Sequence, residues 1–406
     1  MEQAGATSVA LSRQKTRKLP AALWALTISA FGIGTTEFVI VGLLPTVAED
    51  MHTSLASTGM LVSLYAIGVA LGAPIITALT SHIDRKKLLL GIMTLFILGN
   101  GLASLAPTFF LLILARILTG FAHGVFFSIG ATIAAGLVSE DRRGSAIAIM
   151  FAGLTIAIVT GVPLGTFIGQ HFGWRATFSG VALLGLIGFI ANAVLLPKKI
   201  KAGKALRLAD QFKVLRNPSI LIVLAITTLG YGGTFVAFTY LSPMLQNITG
   251  FSANETTMIL LVYGIAIALG NVIGGKAANK KPAKALMIMF ILQALVLLAL
   301  TFTLPSKPAA IATLFALGIL AFSNVPGLQL YIVQLAEKYL PGTEDVTSAL
   351  NIAAFNLGIA IGAATGGWIT ESNLGLGATP WVSAILVLGG FLLTVLSFRK
   401  EHKNHN

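Results

Sequence analysis

The chain has 406 residues, 56% of them hydrophobic and only 10% charged, with 27 Lys and Arg against 14 Asp and Glu and no cysteine. Soluble domains carry about 25% charged residues, so this composition excludes an ordinary soluble globular protein. The absent cysteines exclude disulfides, thiolate metal sites and a cysteine nucleophile, and the formal charge of +13, which in a soluble protein would point to nucleic acid, reads here as membrane topology.

Residues 1–20 read as a cytoplasmic tail carrying Arg13, Lys15, Arg17 and Lys18. The apolar run that follows is far longer than a signal-peptide core and has no small-residue cleavage pattern near its end. It reads as a first transmembrane helix rather than a removed leader. About 20 apolar residues cross the hydrocarbon core. Runs of that kind fall near 21–46, 57–80, 88–106, 109–137, 144–170, 175–196, 218–244, 255–277, 284–304, 309–337, 346–370 and 378–398, which predicts twelve spans and an all-α polytopic membrane protein. The runs are too long, and alternate too little, for barrel strands. The 43 glycines suit helices packed closely in lipid. With the N-terminus inside, 24 of the 27 Lys and Arg fall on cytoplasmic segments or the span ends beside them, Arg175 and Lys307 lie at the outer face, and Arg116 alone lies deep within a span. That asymmetry is the positive-inside pattern, and it puts both termini in the cytoplasm.

The basic segment "PKKIKAGKALRLADQFKVLRNPS" at 197–219 divides the spans six and six. Shifting the first half by 198 residues lays Leu43 on Leu241, Pro45 on Pro243, Tyr65 on Tyr263, Gly72 on Gly270 and Ile75 on Ile273. "YAIGVALG" then covers "YGIAIALG" without a gap. A duplicated six-helix unit follows, with bundles at 21–196 and 218–398, a linker at 197–217 and a cytoplasmic tail at 399–406. Two such halves around a midplane cavity describe a transporter architecture.

Glu37, in "GIGTTEFVIVG" at 32–42, is the only one of the 14 acids well inside a span. A charged group near the bilayer centre costs at least ~2.5–3.5 kcal/mol on insertion scales, so an intramembrane carboxylate is read first as functional. Poised between desolvation and a nearby cation, it could load and release a proton. A fixed salt bridge between spans 1 and 4 is the structural alternative. Arg116 and His123 stand seven residues apart in span 4, on one helix face. Arg116 stays protonated and is suited to pair with a carboxylate or bind substrate oxygens. His123 either titrates near neutral pH or only hydrogen-bonds. Tyr231, Phe235 and Phe238 share a face of span 7 by spacing, Asn324 and Tyr331 share one of span 10, and Asn351 and Asn356 lie in span 11. No Walker-type glycine loop, metal-ligand cluster or nucleophile triad appears, so neither ATP use nor a cofactor nor an enzymatic activity is expected.

Several stretches resemble the major facilitator superfamily, and in particular its twelve-span drug:proton antiporter branch, with the closest likeness to bacterial arabinose, sugar and chloramphenicol efflux permeases. They are "TTEFVIVGLLP" in span 1, "RILTGFAHG" in span 4, "GVPLGTFIGQHFGWRATF" across spans 5 and 6, and "QNITGFSAN" after span 7. The resemblance implies that spans 1, 4, 7 and 10 line the cavity. Glu37, Arg116 and His123 would then handle the proton, and Glu37, Arg116, Tyr231, Phe235, Phe238, Asn324, Tyr331, Asn351 and Asn356 the substrate. Span 5 carries Gly153, then Gly161, Pro163 and Gly165, similar to the family's antiporter motif but without an adjacent Gly-Pro pair; a hinge and plain close packing both fit. The loop "TALTSHIDRKK" at 77–87 departs from the family's G-x-L-x-D-R-x-G-R-K pattern. Ser81 stands at the aspartate position, Asp84 at the second glycine, and Arg85 and Lys86 supply the basic pair. In the second half Gly275 and Asn279 take the equivalent places. Ser81 and Asn279 offer only neutral hydrogen bonds to the charged latch that the family builds there.

The expected function is proton-coupled efflux of a small organic compound by alternating access. A sugar or nucleoside exporter of the same mechanism is the alternative, followed by a proton-coupled importer and a non-transporting scaffold. The expected setting is a bacterial inner membrane, as a monomer, with substrate, protons and lipid as partners and no nucleic acid.

Overall fold

The structure, a computed structural model, describes residues 20–80, 82–139, 143–197, 208–279 and 281–403. Among the described residues, twelve helices are long and apolar enough to cross a membrane. In chain order these spans are Ala21–Asp50, Leu55–Ile76, Arg85–Leu105, Phe109–Gly136, Ala146–Phe172, Trp174–Leu195, Pro218–Asn247, Ala253–Ala278, Pro282–Thr303, Lys307–Tyr339, Val346–Glu371 and Leu376–Glu401. Helices satisfy every backbone polar group locally, which a segment crossing hydrocarbon requires.

The polar residues at the ends of the apolar runs set where the helices start. Ser54 caps span 2 by accepting from the Ser57 amide at 3.0 Å. Asp84 caps span 3, accepting from Lys86 and Lys87 amides at 3.1 Å each. Ser252 and Glu255 form a capping box on span 8. Span 7 starts with Asn217 as cap and Pro218 in the first turn, where a proline's missing N–H costs nothing. Spans 5 and 6 are joined through Gly173 alone, whose φ of 83° turns the chain where a side chain would be strained.

The two six-helix bundles repeat each other's packing. In the first half Gly72 of span 2 lies against the Phe121 carbonyl of span 4, with a Cβ position only 2.9 Å from it. Shifted by 198 residues, Gly270 of span 8 lies against the Ile319 carbonyl of span 10. Gly120 meets Tyr65 O, and likewise Gly318 meets Tyr263 O. The duplicated glycines are therefore duplicated contacts, where backbones approach too closely for any side chain. The halves meet along span 2 with span 11 and along span 5 with span 8.

Several spans are not regular helices. π-helical turns occur at Gly72–Ile76, Ala157–Gly161 and Thr227–Tyr231. The first contains Pro74 and the second ends two residues before Pro163, and a wider turn relieves the clash of a proline ring with the preceding turn. Span 7 continues through a 3-10 turn at Gly232–Thr234 and a single α turn at Phe235–Phe238 before resuming at Leu241. Span 10 breaks at Phe322 and Ser323. Irregular backbone at membrane depth is tolerated where protein or a cavity surrounds it.

The glycines of span 5 all face span 1. Gly153 meets Thr27 O, Gly161 meets Thr35 Oγ1, and a Cβ on Gly165 would come within 2.6 Å of Val39 Cγ2. Pro163 sits two residues beyond the π turn of the same helix.

Candidate functional site

Span 1 places Glu37 in the interior, with its side chain 9% exposed. Its carboxylate lies 3.9 Å from Nδ1 of His123, an ion-pairing distance if the ring is protonated but beyond a hydrogen bond. Nδ1 is instead engaged by the Tyr65 hydroxyl at 2.9 Å. Span 4 thus brings His123 to Glu37, a contact the seven-residue spacing alone could not specify.

Arg116 sits nearby, fully buried, but not in an ion pair with Glu37 within 4 Å. Its Nη1 donates to the Thr36 carbonyl at 2.7 Å and to Thr36 Oγ1 at 3.3 Å, and its Nε donates to Leu61 O at 3.3 Å. The guanidinium carbon lies 4.1 Å from the centre of the Tyr65 ring, a cation–π contact. Nη2 is buried without a hydrogen-bond partner. Arg116 therefore braces spans 1 and 2 through backbone carbonyls and supplies positive charge one residue away from the carboxylate. Thr36 in turn donates to Asn100 Oδ1 at 2.7 Å, which ties in span 3.

Tyr65, Thr36 and Asn100 escape a search for ionisable residues. Tyr65 does leave a signal, as an intramembrane tyrosine duplicated in Tyr263. Applying the same shift to Glu37, Arg116 and His123 gives Phe235, Leu314 and Ala321. The second copy is the apolar counterpart of the first.

That second half presents an aromatic cluster to span 1 beside Glu37. Phe38, the next residue, packs edge-on against Phe238 at 6.3 Å and Phe322 at 6.0 Å. Tyr231, Phe235 and Phe238 do come together, at 5.2 and 5.3 Å between successive rings. They do so through π and 3-10 turns rather than one straight helix face. Tyr231 also meets Phe322 at 5.5 Å and Phe355 at 4.8 Å, and Tyr263 stacks on Phe238 at 5.5 Å. A crevice of about 10 Å³, room for at most one water, runs between Phe38, Ile158, Phe238 and Tyr263. The Tyr263 hydroxyl is buried there without a partner.

The amide candidates are placed differently. Asn324 donates to Gln293 Oε1 at 3.0 Å, and Gln293 donates to Thr234 at 2.5 Å, so this pair ties span 9 to spans 7 and 10. Tyr331 bonds Ser397 of span 12 at 2.7 Å. Asn351 accepts from Thr227 at 2.7 Å and donates to Gln329 at 2.8 Å. Asn356 donates to Ile352 O at 3.0 Å and keeps a buried, unbonded Oδ1. Asn324, Tyr331 and Asn351 thus have mutual or neighbouring partners, while the Oδ1 atoms of Asn324 and Asn356 remain open.

In the loop between spans 2 and 3, the bonds of the described residues Asp84 and Lys86 stay within the first half. Ser81 lies outside the described residues. Asp84 is the helix cap described above. Lys86 Nζ donates to Ala193 O at 2.8 Å and Leu196 O at 2.6 Å, closing the end of span 6. Arg85 is buried, with Nε and Nη1 unbonded. Asn279 is exposed at the end of span 8, and Gly275 faces Pro326.

On the opposite face a cavity of about 490 Å³ opens between the halves, lined by Ser54, Asn247, Thr370 and Glu371 among others. Ser54, already the cap of span 2, donates to Glu371 Oε1 of span 11 at 2.5 Å. Replacing Ser54 with Ala removes this link and a cap worth about 0.5–2 kcal/mol. The expected result is faster reaction of a cysteine placed at Ala56 with a water-soluble thiol reagent. An unchanged rate would show that the bond does not hold this face closed.

The model of the Major Facilitator Superfamily matches residues 26–343. The chain is 55% identical over 383 residues to the MFS-type transporter YtbD of Bacillus subtilis, covering 94% of this chain and 96% of that protein. It is 40% identical over 379 residues to the inner membrane transport protein YdhP of Escherichia coli K12, covering 93% and 96%. A solved bacterial homologue of the human lysosomal transporter Spinster, in an inward-facing and occupied conformation, superposes with a TM-score of 0.74 at 16% identity, covering 93% and 96%. The chain belongs to the Major Facilitator Superfamily. It is a multi-pass membrane transporter and not an enzyme.

His123 is expected to tune the carboxylate rather than to build the fold. His123→Ala should leave the protein folded and shift the pH dependence of transport. An unchanged pH profile in well-folded variant protein would assign the ring to packing with Tyr65 and Phe127.

Proposed function

We propose that the protein is a proton-coupled antiporter of a bacterial inner membrane, exporting a small organic compound in exchange for an entering proton. The observation that carries this reading is Glu37: a buried carboxylate 3.9 Å from His123, with the charge of Arg116 committed to the carbonyls of Thr36 and Leu61. Such a group is held close enough to a cation to tolerate ionisation, and loosely enough to take a proton.

The halves at 21–196 and 218–398 rock about this centre, joined by the linker at 197–217, and expose it to each side in turn. The first half handles the proton. The second offers aromatic rings and single amide oxygens, an inventory that suits a neutral or weakly polar compound of the chloramphenicol type. Relatives described as inner membrane transport proteins support the location.

The test is flux in proteoliposomes under an imposed pH gradient, with antibiotics, sugars and nucleosides as candidate substrates. Gradient-driven movement against the proton flow supports antiport. Movement with it would mean import, and absence of counterflow for every compound would argue against the drug-export reading.

A further inference from the structure

The linker contains a feature that the transport reading leaves unused. Residues Leu208–Leu215 form a short helix. One side is fastened to the protein: Val214 is fully buried, and the Gln211 amide donates to Pro74 O in the π turn of span 2 at 3.2 Å. The helix also packs against span 11 and the start of span 7. The other side carries Phe212, 66% exposed, and Leu215, 38% exposed, three residues apart and therefore neighbours on the helix. Lys213 and Arg216 are exposed beside them.

We propose that this helix is a surface anchor for anionic phospholipids of the cytoplasmic leaflet. Three observations favour lipid over a soluble partner. Span 7 begins at Pro218, and three residues of chain reach at most about 10 Å, so the helix is held at the edge of the hydrocarbon. The apolar pair flanked by cations is the pattern of a helix lying in the membrane interface. The segment at 197–217 carries seven Lys and Arg against the single acid Asp210, a charge suited to anionic headgroups. Phe212 and Leu215 enter the acyl boundary while Lys213 and Arg216 meet the phosphates. Through Gln211 the anchor grips span 2 of one half, and the helix packs on span 11 of the other, so lipid charge bears on the cytoplasmic seam. The inference rests on the cytoplasmic orientation of the linker, and not on proton coupling or on the identity of the substrate.

The chain has no cysteine, so Leu215→Cys offers a single point for a fluorophore in the full-length protein in nanodiscs. Phosphatidylglycerol bearing a headgroup nitroxide should quench it about 25-fold more efficiently than the matching phosphatidylcholine at equal mole fraction, since Lys213 and Arg216 near an anionic surface each contribute about fivefold. The preference should vanish in high salt, and in the Lys213→Gln, Arg216→Gln double variant, while added glycerol phosphate leaves it in place. Equal quenching by both lipids would overturn the proposal, as would a preference that survives the double substitution. So would free access of a water-soluble quencher in every lipid mixture, which would place the helix in the cytosol for a protein partner.

Discussion

Glu37→Gln should abolish uphill transport while leaving the protein folded. Glutamine matches the shape of a protonated glutamate and can still hydrogen-bond, so the spans around it keep their packing. What it cannot do is release a proton to one side and take one from the other. Loss of a positioned proton-transfer group costs typically about 10²–10⁴-fold, and gradient-driven flux should fall by at least that lower figure. Substrate binding should change only a few-fold, because the rings of Phe38, Phe238 and Phe322 are untouched. The measurements are flux under a pH gradient and equilibrium binding on the same preparation. A variant that accumulates substrate at the normal rate would remove Glu37 from the coupling step.

Gly358→Val should destabilise the fold markedly. A Cβ at Gly358 of span 11 would lie 2.6 Å from Thr228 O and 2.9 Å from the Gly232 Cα, both backbone atoms of span 7. Backbone cannot swing aside as a side chain can, so one of the two spans must move. Overpacking a well-filled core costs about 1–3 kcal/mol and more where the obstruction is rigid. Gly91→Val is the control: nothing lies within 4 Å of its Cβ position. The melting temperature in detergent should drop for the first variant and hold for the second. Equal melting temperatures would show that the span 7–span 11 crossing yields more easily than its backbone contacts imply.

These two residues differ in how far the sequence reveals them. Glu37 stands out by composition, because an acid inside an apolar run of 30 helical residues has no inexpensive structural explanation. Gly358 is one glycine among 43, and nothing local separates it from Gly91. Only the approach of span 7 does.

The number of spans and the ionisable candidates are legible in the amino-acid sequence alone, since length, apolarity and charge asymmetry act on each segment by itself. The internal repeat is legible too, and Gly72 and Gly270 make it a repeat of contacts. The irregular turns of spans 7 and 10 are not, because Thr227–Tyr231 and Phe322–Ser323 read much like the helices around them and leave the helical path only against neighbouring spans. The role of Arg116 is likewise hidden. Its charge and depth follow from the sequence, but whether it pairs with Glu37 or grips the carbonyls of Thr36 and Leu61 depends on where spans 1 and 2 lie against span 4. Asn324, Tyr331 and Asn351 make the same point, for their partners Gln293, Ser397 and Gln329 lie on other helices. Hydropathy and charge act along the chain and can be read from it, whereas the partner of a buried polar group is chosen by the packing of helices that are distant in sequence.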